Sequence, residues 1–237
     1  MQTLAELFFR RREIALSGLI VILLAVVGAR APVFLSLSSL EDVLTDSSIL
    51  VILAIGQMMV ILTRAIDISV ASNLAFCGMF VALLSQSQPE LPVIVFMLTA
   101  GAIGLCLGAV NGFFVAVVGI PPIVTTLGTL SVYRGLIFVL SGGAWVSSNE
   151  MSQPFQRFPM ETTLGLTNLF WSAVVVTLVA WVFLNHTRIG RTLYAVGGNP
   201  IAAHYVGISV RRARFLVYCI SGTIAGIAGY LWVARFA

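Results

Sequence analysis

Seven polar residues lie within or beside long apolar stretches of this sequence, and they are its first candidates for chemistry. Their amide, hydroxyl, carboxylate and guanidinium groups can all hydrogen-bond a polar solute. A buried polar group in lipid is costly, so each should face a helix bundle or a water-filled path. Asp67 and Asn111 favour a structural role over solute contact, because Asp67 could cap a helix near Ser69 or pair with Arg64. The seven candidates are Gln57, Asp67, Asn73, Asn111, Thr125, Thr126 and Arg134.

Residue patterns for hydrolytic, redox or metal chemistry are missing from the sequence. The two histidines, His186 and His204, lie in one polar stretch, and the three cysteines fall inside apolar runs without metal or disulfide spacing. HExxH, CxxC, GxSxG and the phosphate-binding GxxxxGK[ST] pattern are all absent. We therefore expect no enzyme activity, no metal and no cofactor on this chain. If the protein works by ATP, another chain binds the ATP and its magnesium.

The composition is that of a membrane protein. Hydrophobic residues make up 59% of the 237 residues and charged residues only 9%, whereas a soluble domain carries about 25% charged residues. With so few charges the chain could not cover a water-facing surface, so lipid must be its solvent. The formal charge of +4 comes from arginines that lie between apolar runs and form no single basic face, which argues against nucleic acid as a partner.

The apolar runs predict an all-α fold, a polytopic transmembrane helical bundle that forms one domain over residues 1–237. A spanning helix uses about 20 apolar residues, so roughly seven crossings fit the length. The fourth run is long enough to tilt or break. The seven predicted spans are Ile14–Ala29, Val43–Leu62, Ile68–Leu84, Leu91–Val118, Ile123–Leu140, Asn168–Leu184 and Phe215–Ala234.

The distribution of arginine predicts the orientation. If the N-terminus is cytoplasmic and the spans alternate, nine arginines lie inside and three outside, as the positive-inside rule requires. The residues 1–13 are then a cytoplasmic segment, 141–167 a periplasmic loop and 186–212 a cytoplasmic loop. The first span follows Arg10, Arg11 and Arg12 and is interpreted as a retained signal anchor, with cleavage as the alternative.

A short helix is predicted within the cytoplasmic loop. Asn199 can cap its start, Pro200 suits its first position, and Gly207 suits the stop after Val206. A helix of under two turns is marginal alone in water. A capped helix at this place makes sense if it docks in the groove of a partner protein; the alternative is a plain surface turn.

Glycines form two stripes along predicted spans. Without Cβ atoms, two helix backbones can approach closely, so both stripes are interpreted as packing seams and not as functional sites. The stripes are Gly101, Gly104, Gly108 and Gly112 in the fourth span, and Gly222, Ala225, Gly226 and Gly229 in the last.

Three stretches resemble the permeases of ATP-binding-cassette (ABC) importers, in the branch that carries ribose, rhamnose and autoinducer-2. The segment GRTLYAVGGNPIAAHYVGI resembles the EAA-xxx-G loop of these permeases, with Ile201 where the pattern has glutamate. The segment ILTRAIDISVAS resembles the IDLSVG signature, with Ala71 where glycine is usual. NGFFVAVVGIPPIVTTLGTLSVYRG resembles the central segment of the branch, and LSGGAWV resembles the rhamnose-type and autoinducer-2-type permeases.

The resemblance implies an inner-membrane subunit that imports a monosaccharide by alternating access, with a rhamnose-like deoxyhexose or a pentose favoured. Implied partners are ATPase subunits, a second permease and a periplasmic sugar-binding protein. The seven polar candidates become possible sugar contacts. The resemblance also implies coupling to the ATPase through Asn199, Ile201, Ala202, Ala203 and Gly207.

Two other interpretations stay open at this stage. A secondary transporter would need coupling-ion ligands near mid-bilayer and often has paired broken helices, for which only the fourth-span glycines and the prolines Pro121 and Pro122 argue. Permeases of the family usually continue for two or three further spans. A truncated, inactive permease fragment is therefore the other alternative.

Overall fold

The computed structural model describes residues 12–236, which divide into two compact units. The first unit, Met1–Asp46, contains α1 (Arg12–Arg30), a short 3₁₀ turn (Pro32–Leu35) and the start of α2 (Leu37–Leu62). The large apolar side chains of α1 from Leu16 to Val27 are exposed, as expected for a helix that contacts lipid. The predicted first span, Ile14–Ala29, falls within α1, and residues 1–11 of the predicted cytoplasmic segment 1–13 lie outside the described part.

The second unit, Ser47–Ala237, contains the rest of α2 and the other long helices. These are α3 (Val70–Ser87), α4 (Val93–Gly112), α5 (Pro122–Ser141), α7 (Asn168–His186) and α10 (Val210–Phe236). Shorter helices are α6 (Gln153–Met160), α8 (Arg188–Gly198) and α9 (Pro200–Tyr205). Six described helices, α2 to α5, α7 and α10, are long and apolar enough to cross a membrane, and α1 accounts for the first predicted span. The predicted all-α polytopic bundle of about seven spans is confirmed.

Helix α10 forms the centre of the second unit and packs most extensively against α4 and then α3. The glycine stripes explain why. A Cβ at Gly104 would overlap the carbonyl oxygen of Gly222, and a Cβ at Gly108 would overlap that of Tyr218. Dispersion between closely spaced backbones therefore replaces the hydrophobic driving force that lipid removes. Both stripes are packing seams, as predicted.

The fourth span changes helical geometry near its end. Regular α4 stops at Gly112 and continues as a π-helical turn, Phe113–Val118, which ends at Gly119 with φ +88°. Pro121 and Pro122 then start α5. The fourth apolar run is therefore one continuous helix up to Val118 that widens in its last turns, and glycine and proline separate it from α5.

Both predicted polar loops contain ordered structure. The loop over 141–167 holds a 3₁₀ turn (Ser148–Glu150), α6 and a small antiparallel hairpin, β1 (Thr162–Thr163) and β2 (Leu166–Thr167). Helix α6 is anchored by Phe155, whose ring meets Phe96 and Tyr230 edge to face at centroid distances of 5.1 Å and 4.9 Å. The hydroxyl of Tyr230 also donates to the Phe155 carbonyl at 3.0 Å.

Hydrogen bonds place these loops at opposite ends of the second unit. At the end where α3 begins, Arg64, which precedes this helix, donates to backbone carbonyls at the end of α8. At the other end of α3, the Ser85 hydroxyl accepts from the Ser152 amide at 3.0 Å, and Gln86 donates to Glu150 at 3.3 Å. The segment after α2 and the segment 187–209 therefore share one end, as alternating spans predicted. Which end faces the cytoplasm stays a prediction.

Candidate coupling and translocation residues

Helix α9 begins as its sequence predicts. The side-chain oxygen of Asn199 accepts from the backbone amides of Ile201 at 3.0 Å and Ala202 at 3.1 Å. These bonds satisfy two of the amides that a helix start leaves without partners. Pro200 occupies the first turn, where its missing N–H costs nothing. Local side-chain chemistry alone therefore fixes where this helix starts.

The end of α9 is equally well defined. Gly207 adopts φ +83°, its amide donates to the His204 carbonyl at 3.0 Å, and the Ile208 amide donates to the Ala203 carbonyl at 2.9 Å. This pair of bonds is the Schellman arrangement, in which the residue after the helix takes a left-handed conformation. Glycine adopts that conformation without steric cost. The helix ends at Tyr205, one residue before the predicted end.

Helix α9 presents an apolar surface to its surroundings. Ile201, Tyr205 and Val206 are 70%, 84% and 75% exposed, and we name these three side chains the docking surface. Ala203 points the other way, is only 3% exposed, and belongs to a buried cluster with Leu193 and others. Ala203 was expected among the coupling residues, but its buried side chain cannot contact a partner directly. Its side chain instead packs α9 onto the rest of the chain, whereas Ala202 and Gly207 are exposed.

Helix α8 was not predicted, although its signal is in the sequence. Thr187 caps the start, accepting from the Gly190 amide at 3.0 Å. Gly190, Leu193 and Val196 then recur at a spacing of three and are buried. Arg188 and Arg191 occupy the exposed face. This is the pattern of an amphipathic helix. Its end meets Asn199, the cap of α9, so the two helices follow each other directly.

A buried polar network surrounds the segment between α2 and α3. The carboxylate oxygen Oδ1 of Asp67 accepts from the Ser69 amide at 2.9 Å and from its hydroxyl at 2.6 Å. The side-chain amide of Asn111, in α4, donates to the Ser69 hydroxyl at 2.7 Å. Asp67, Ser69 and Asn111 are all buried. The proposed pair of Asp67 with Arg64 does not form, because the Arg64 guanidinium donates to Gly197 and Gly198.

Two further side chains hold this segment. With its amide oriented to satisfy both groups, Gln57 in α2 donates to the Asp67 carbonyl at 3.3 Å and accepts from the Asp67 amide at 3.2 Å. The hydroxyl of Tyr218, in α10, donates to the Ile66 carbonyl at 3.2 Å. Burial raises the pKa of the Asp67 carboxyl above its ordinary 3.8, although the hydrogen bonds from Ser69 and Asn111 act in the opposite direction. Asp67 therefore prefers its neutral form more than an exposed aspartate does.

The other polar candidates separate into buried and exposed groups. Asn73 donates to the Gly104 carbonyl at 3.4 Å, and the Thr126 hydroxyl donates to the Pro122 carbonyl at 2.9 Å. Two buried atoms, Asn111 Oδ1 and the Thr125 hydroxyl, have no hydrogen-bond partner among the described residues. Both atoms are buried, so neither contacts water or a solute in this conformation.

Arg134 stands apart from the other candidates. It lies on the exposed side of α5, and its guanidinium makes no hydrogen bond or ion pair with any residue in the described part of the chain. Its neighbour Tyr133 is buried, and the Tyr133 hydroxyl donates to the Leu107 carbonyl at 2.8 Å. An arginine in a span is costly against lipid, so this side of α5 is better suited to water or to another helix.

Comparison with known proteins gives one family. The family model described as branched-chain amino acid transport system, permease component, matches residues 39–237. The autoinducer 2 import system permease protein LsrC of Enterobacter sp. (strain 638) is 37% identical over 226 residues, which are 95% of this chain and 65% of LsrC. No solved structure matches the chain.

Two relatives from Escherichia coli (strain K12) are similar at nearly the same level. The ribose import permease protein RbsC is 35% identical over 220 residues, which are 92% of this chain and 68% of RbsC. The D-allose transport system permease protein AlsC is 33% identical over 218 residues, which are 92% of this chain and 66% of AlsC. The chain thus spans about two thirds of the length of these relatives.

Proposed function

This chain belongs to the permease family described as branched-chain amino acid transport system, permease component, and we propose that it is a membrane-spanning permease of an ABC importer for a monosaccharide. The relatives named for the import of autoinducer 2, ribose and allose support a sugar or sugar-like cargo. The preference for a rhamnose-like sugar stays a prediction. The proposed site of action is the bacterial inner membrane.

The observation that carries this proposal is the docking surface on α9. Three apolar side chains are exposed on a helix of only six residues. Caps at both ends hold the helix in place, so its surface is preorganised and binding costs little ordering entropy. A helix that inserts apolar side chains into the groove of a partner is a recurring mode of recognition. The partner we propose is the ATPase, because this sequence contains no phosphate-binding loop of its own.

In the proposed mechanism, the ATPase moves α9 and the spans alternate between outward and inward openings. The binding and hydrolysis of ATP belong to the partner. This chain supplies the docking surface, the path between the spans and the groups that contact the sugar. Asn111 and Thr125 are the proposed contacts, since each has a buried polar atom without a partner among the described residues, which movement of the spans would have to open to the sugar. A second permease and a periplasmic sugar-binding protein complete the proposed importer.

Purification of the tagged chain from its native membranes tests the ATPase partnership. We expect a copurifying protein with a phosphate-binding loop and ATP hydrolysis by the preparation. The variant Ile201→Asp places a charge on the docking surface and should lose both. Leu164→Asp is the matched control, because Leu164 is 87% exposed at the opposite end of the unit and lies outside the docking surface. Loss of the ATPase in both variants, or its absence from the wild type, would contradict the proposal.

Uptake assays test the cargo. Cells that express the chain with its partners should accumulate labelled ribose, allose or rhamnose in an ATP-dependent manner. Uptake of leucine instead would favour the amino acids in the family description over a sugar. Uptake that follows an ion gradient and ignores ATP depletion would favour the secondary transporter.

Accessibility of introduced cysteines tests the orientation. Cysteine at Thr192, in α8, should react with a membrane-impermeant reagent only from the cytoplasm, and cysteine at Ser148 only from the periplasm. Cys106 is exposed and should first be replaced by serine, whereas Cys77 and Cys219 are buried. Reaction of Ser148→Cys only from the cytoplasmic side would reverse the proposed topology.

A further inference from the structure

Arg64 occupies a backbone position that normally suits glycine. Helix α2 ends at Leu62, and the Arg64 amide donates to the Ile61 carbonyl at 2.9 Å while the Ala65 amide donates to the Val60 carbonyl at 3.4 Å. This is the same Schellman arrangement that ends α9 at Gly207. Arg64 adopts φ +59°, a conformation that is sterically unfavourable for a residue with a Cβ atom. The cost indicates that the side chain contributes something that glycine could not.

The Arg64 guanidinium caps the end of α8. Its Nε donates to the Gly197 carbonyl at 2.8 Å and an Nη donates to the Gly198 carbonyl at 2.6 Å. These are the last two residues of α8, where helical carbonyls lack partners within the helix and the helix dipole is negative. A cation with two donors on a planar fork matches both needs. A Cβ at Gly197 would overlap the Leu62 carbonyl oxygen, so the ends of α2 and α8 are in close contact.

This cap connects two elements that are far apart in sequence. On one side, α8 leads straight into Asn199, the N-terminal cap of α9, and so to the docking surface. On the other side, Arg64 belongs to the segment 63–69, which we name the polar loop. Side chains from α10, α4 and α2 bond the polar loop through Tyr218, Asn111 and Gln57. Arg64 is thus the hydrogen-bonded link between the docking helix and the polar loop.

We propose that Arg64 is a positioning residue that transmits the position of the docking helix to the spans through the polar loop. The proposal rests on the proposed function, since it names the residue through which the docked ATPase acts on the bundle. A rigid link is needed there because α9 has only six residues. Two hydrogen bonds from one side chain fix both the distance and the angle between α8 and the polar loop.

The variant Arg64→Gly separates transmission from folding. Glycine relieves the backbone cost at φ +59°, so the polar loop should keep its conformation and thermal stability should not fall. Without the guanidinium, the end of α8 should loosen. We expect amide hydrogen exchange in 195–208 to accelerate by about tenfold or more, as the loss of two charge-assisted hydrogen bonds predicts. The matched control is Arg191→Ala, which removes an exposed arginine of α8 whose guanidinium makes no hydrogen bond or ion pair within the described residues and keeps a residue that favours the helix.

The exchange experiment needs no partner, so it decides on the cap even if the proposed function fails. Unchanged exchange in Arg64→Gly, or equal acceleration in Arg191→Ala, would overturn the proposal. Arg64→Lys supplies one donor group in place of two, so exchange in this variant should be slower than in Arg64→Gly but faster than in the wild type.

The purified complex with the ATPase then tests transmission itself. In the wild type, nucleotide binding to the ATPase should change hydrogen exchange in 63–69. In Arg64→Gly, the ATPase should still copurify, because the docking surface is intact, but this change should disappear and the ATP consumed per sugar transported should rise by about tenfold. A wild-type chain without an ATPase partner would contradict the proposed function. A variant whose 63–69 segment still responds to nucleotide would contradict only the role of Arg64.

Discussion

The side-chain amide of Asn111 donates to the hydroxyl of Ser69 at 2.7 Å, so α4 is bonded to the polar loop that precedes α3. Ser69 in turn donates to Asp67 at 2.6 Å. The three side chains form a chain of hydrogen bonds in a place that water does not reach, since Ser69 and Asn111 are 0% exposed and Asp67 only 3%. In such a place each bond fixes the relative position of the elements that it joins.

Asn111→Ala should therefore destabilise the chain. The variant removes the donor to Ser69, and we expect a loss of about 1 kcal/mol in the free energy of unfolding, measured by thermal unfolding in detergent. Ser221→Ala is the control, because the buried Ser221 hydroxyl has no partner among the described residues and its removal should be neutral or stabilising. Equal destabilisation by both variants would mean that the Asn111 bond adds nothing to the stability of the fold.

The glycine seam between α4 and α10 predicts that alanine at different glycines will change stability in opposite directions. A Cβ at Gly108 would overlap the carbonyl oxygen of Tyr218, so Gly108→Ala should separate the helices at a cost of about 1–3 kcal/mol. At Gly128 and Gly135 in α5, no neighbouring atom lies within 4 Å of the position that a Cβ would take. Gly128→Ala and Gly135→Ala should therefore raise stability by up to about 1 kcal/mol through helix propensity. The fraction of monodisperse protein after heating measures both effects, and equal stability of Gly108→Ala and Gly128→Ala would rule out the seam.

Burial of Asp67 should make the stability of the fold depend on pH. Because burial raises its pKa in the folded chain above 3.8, the folded chain binds this proton more tightly than the unfolded chain does. Its contribution to stability is full below the ordinary pKa and is lost as the pH rises through the raised pKa. Asp67→Asn keeps an oxygen that can accept from Ser69 and removes the titration. We expect the variant to be more stable than the wild type at neutral pH, with a smaller advantage in acid.

Thermal unfolding across that pH range checks the Asp67 prediction. Glu90→Gln is the control, since Glu90 is an exposed carboxylate and its removal should change stability little at any pH. A wild type and an Asp67→Asn variant that respond identically to pH would show that Asp67 keeps its charge without penalty in the fold.

The parts of this structure that the sequence predicted are those determined by local chemistry. Runs of apolar residues are enough to predict the spans, and Asn199, Pro200 and Gly207 are enough to predict α9, because caps and turns act within a few residues. The failures are long-range. Nothing near Arg64 in the sequence indicates that its partners are the carbonyls of Gly197 and Gly198, more than 130 residues later. The buried position of Ala203 likewise depends on packing against other helices.

Gly207 gives the most direct test of the docking helix. It has φ +83°, and no neighbouring atom lies within 4 Å of the position that a Cβ would take. A substitution there therefore changes the backbone preference alone. A β-branched residue resists the left-handed conformation, whereas asparagine tolerates it. Gly207→Val should therefore loosen the end of α9 and displace Tyr205 and Val206 of the docking surface. The abundance of the chain should stay normal, because the site is exposed and lies outside the spans.

The measurement is sugar-stimulated ATP hydrolysis by the purified complex, compared at equal amounts of chain. Gly207→Val should lose most of the stimulation and Gly207→Asn should keep it, since only valine opposes the backbone. Gly198→Val controls for the added side chain, because Gly198 is also exposed with open space around it but has no positive φ, and its carbonyl still accepts from Arg64. Full stimulation in Gly207→Val would mean that the conformation of α9 does not matter for coupling, and the proposed docking surface would lose its main support.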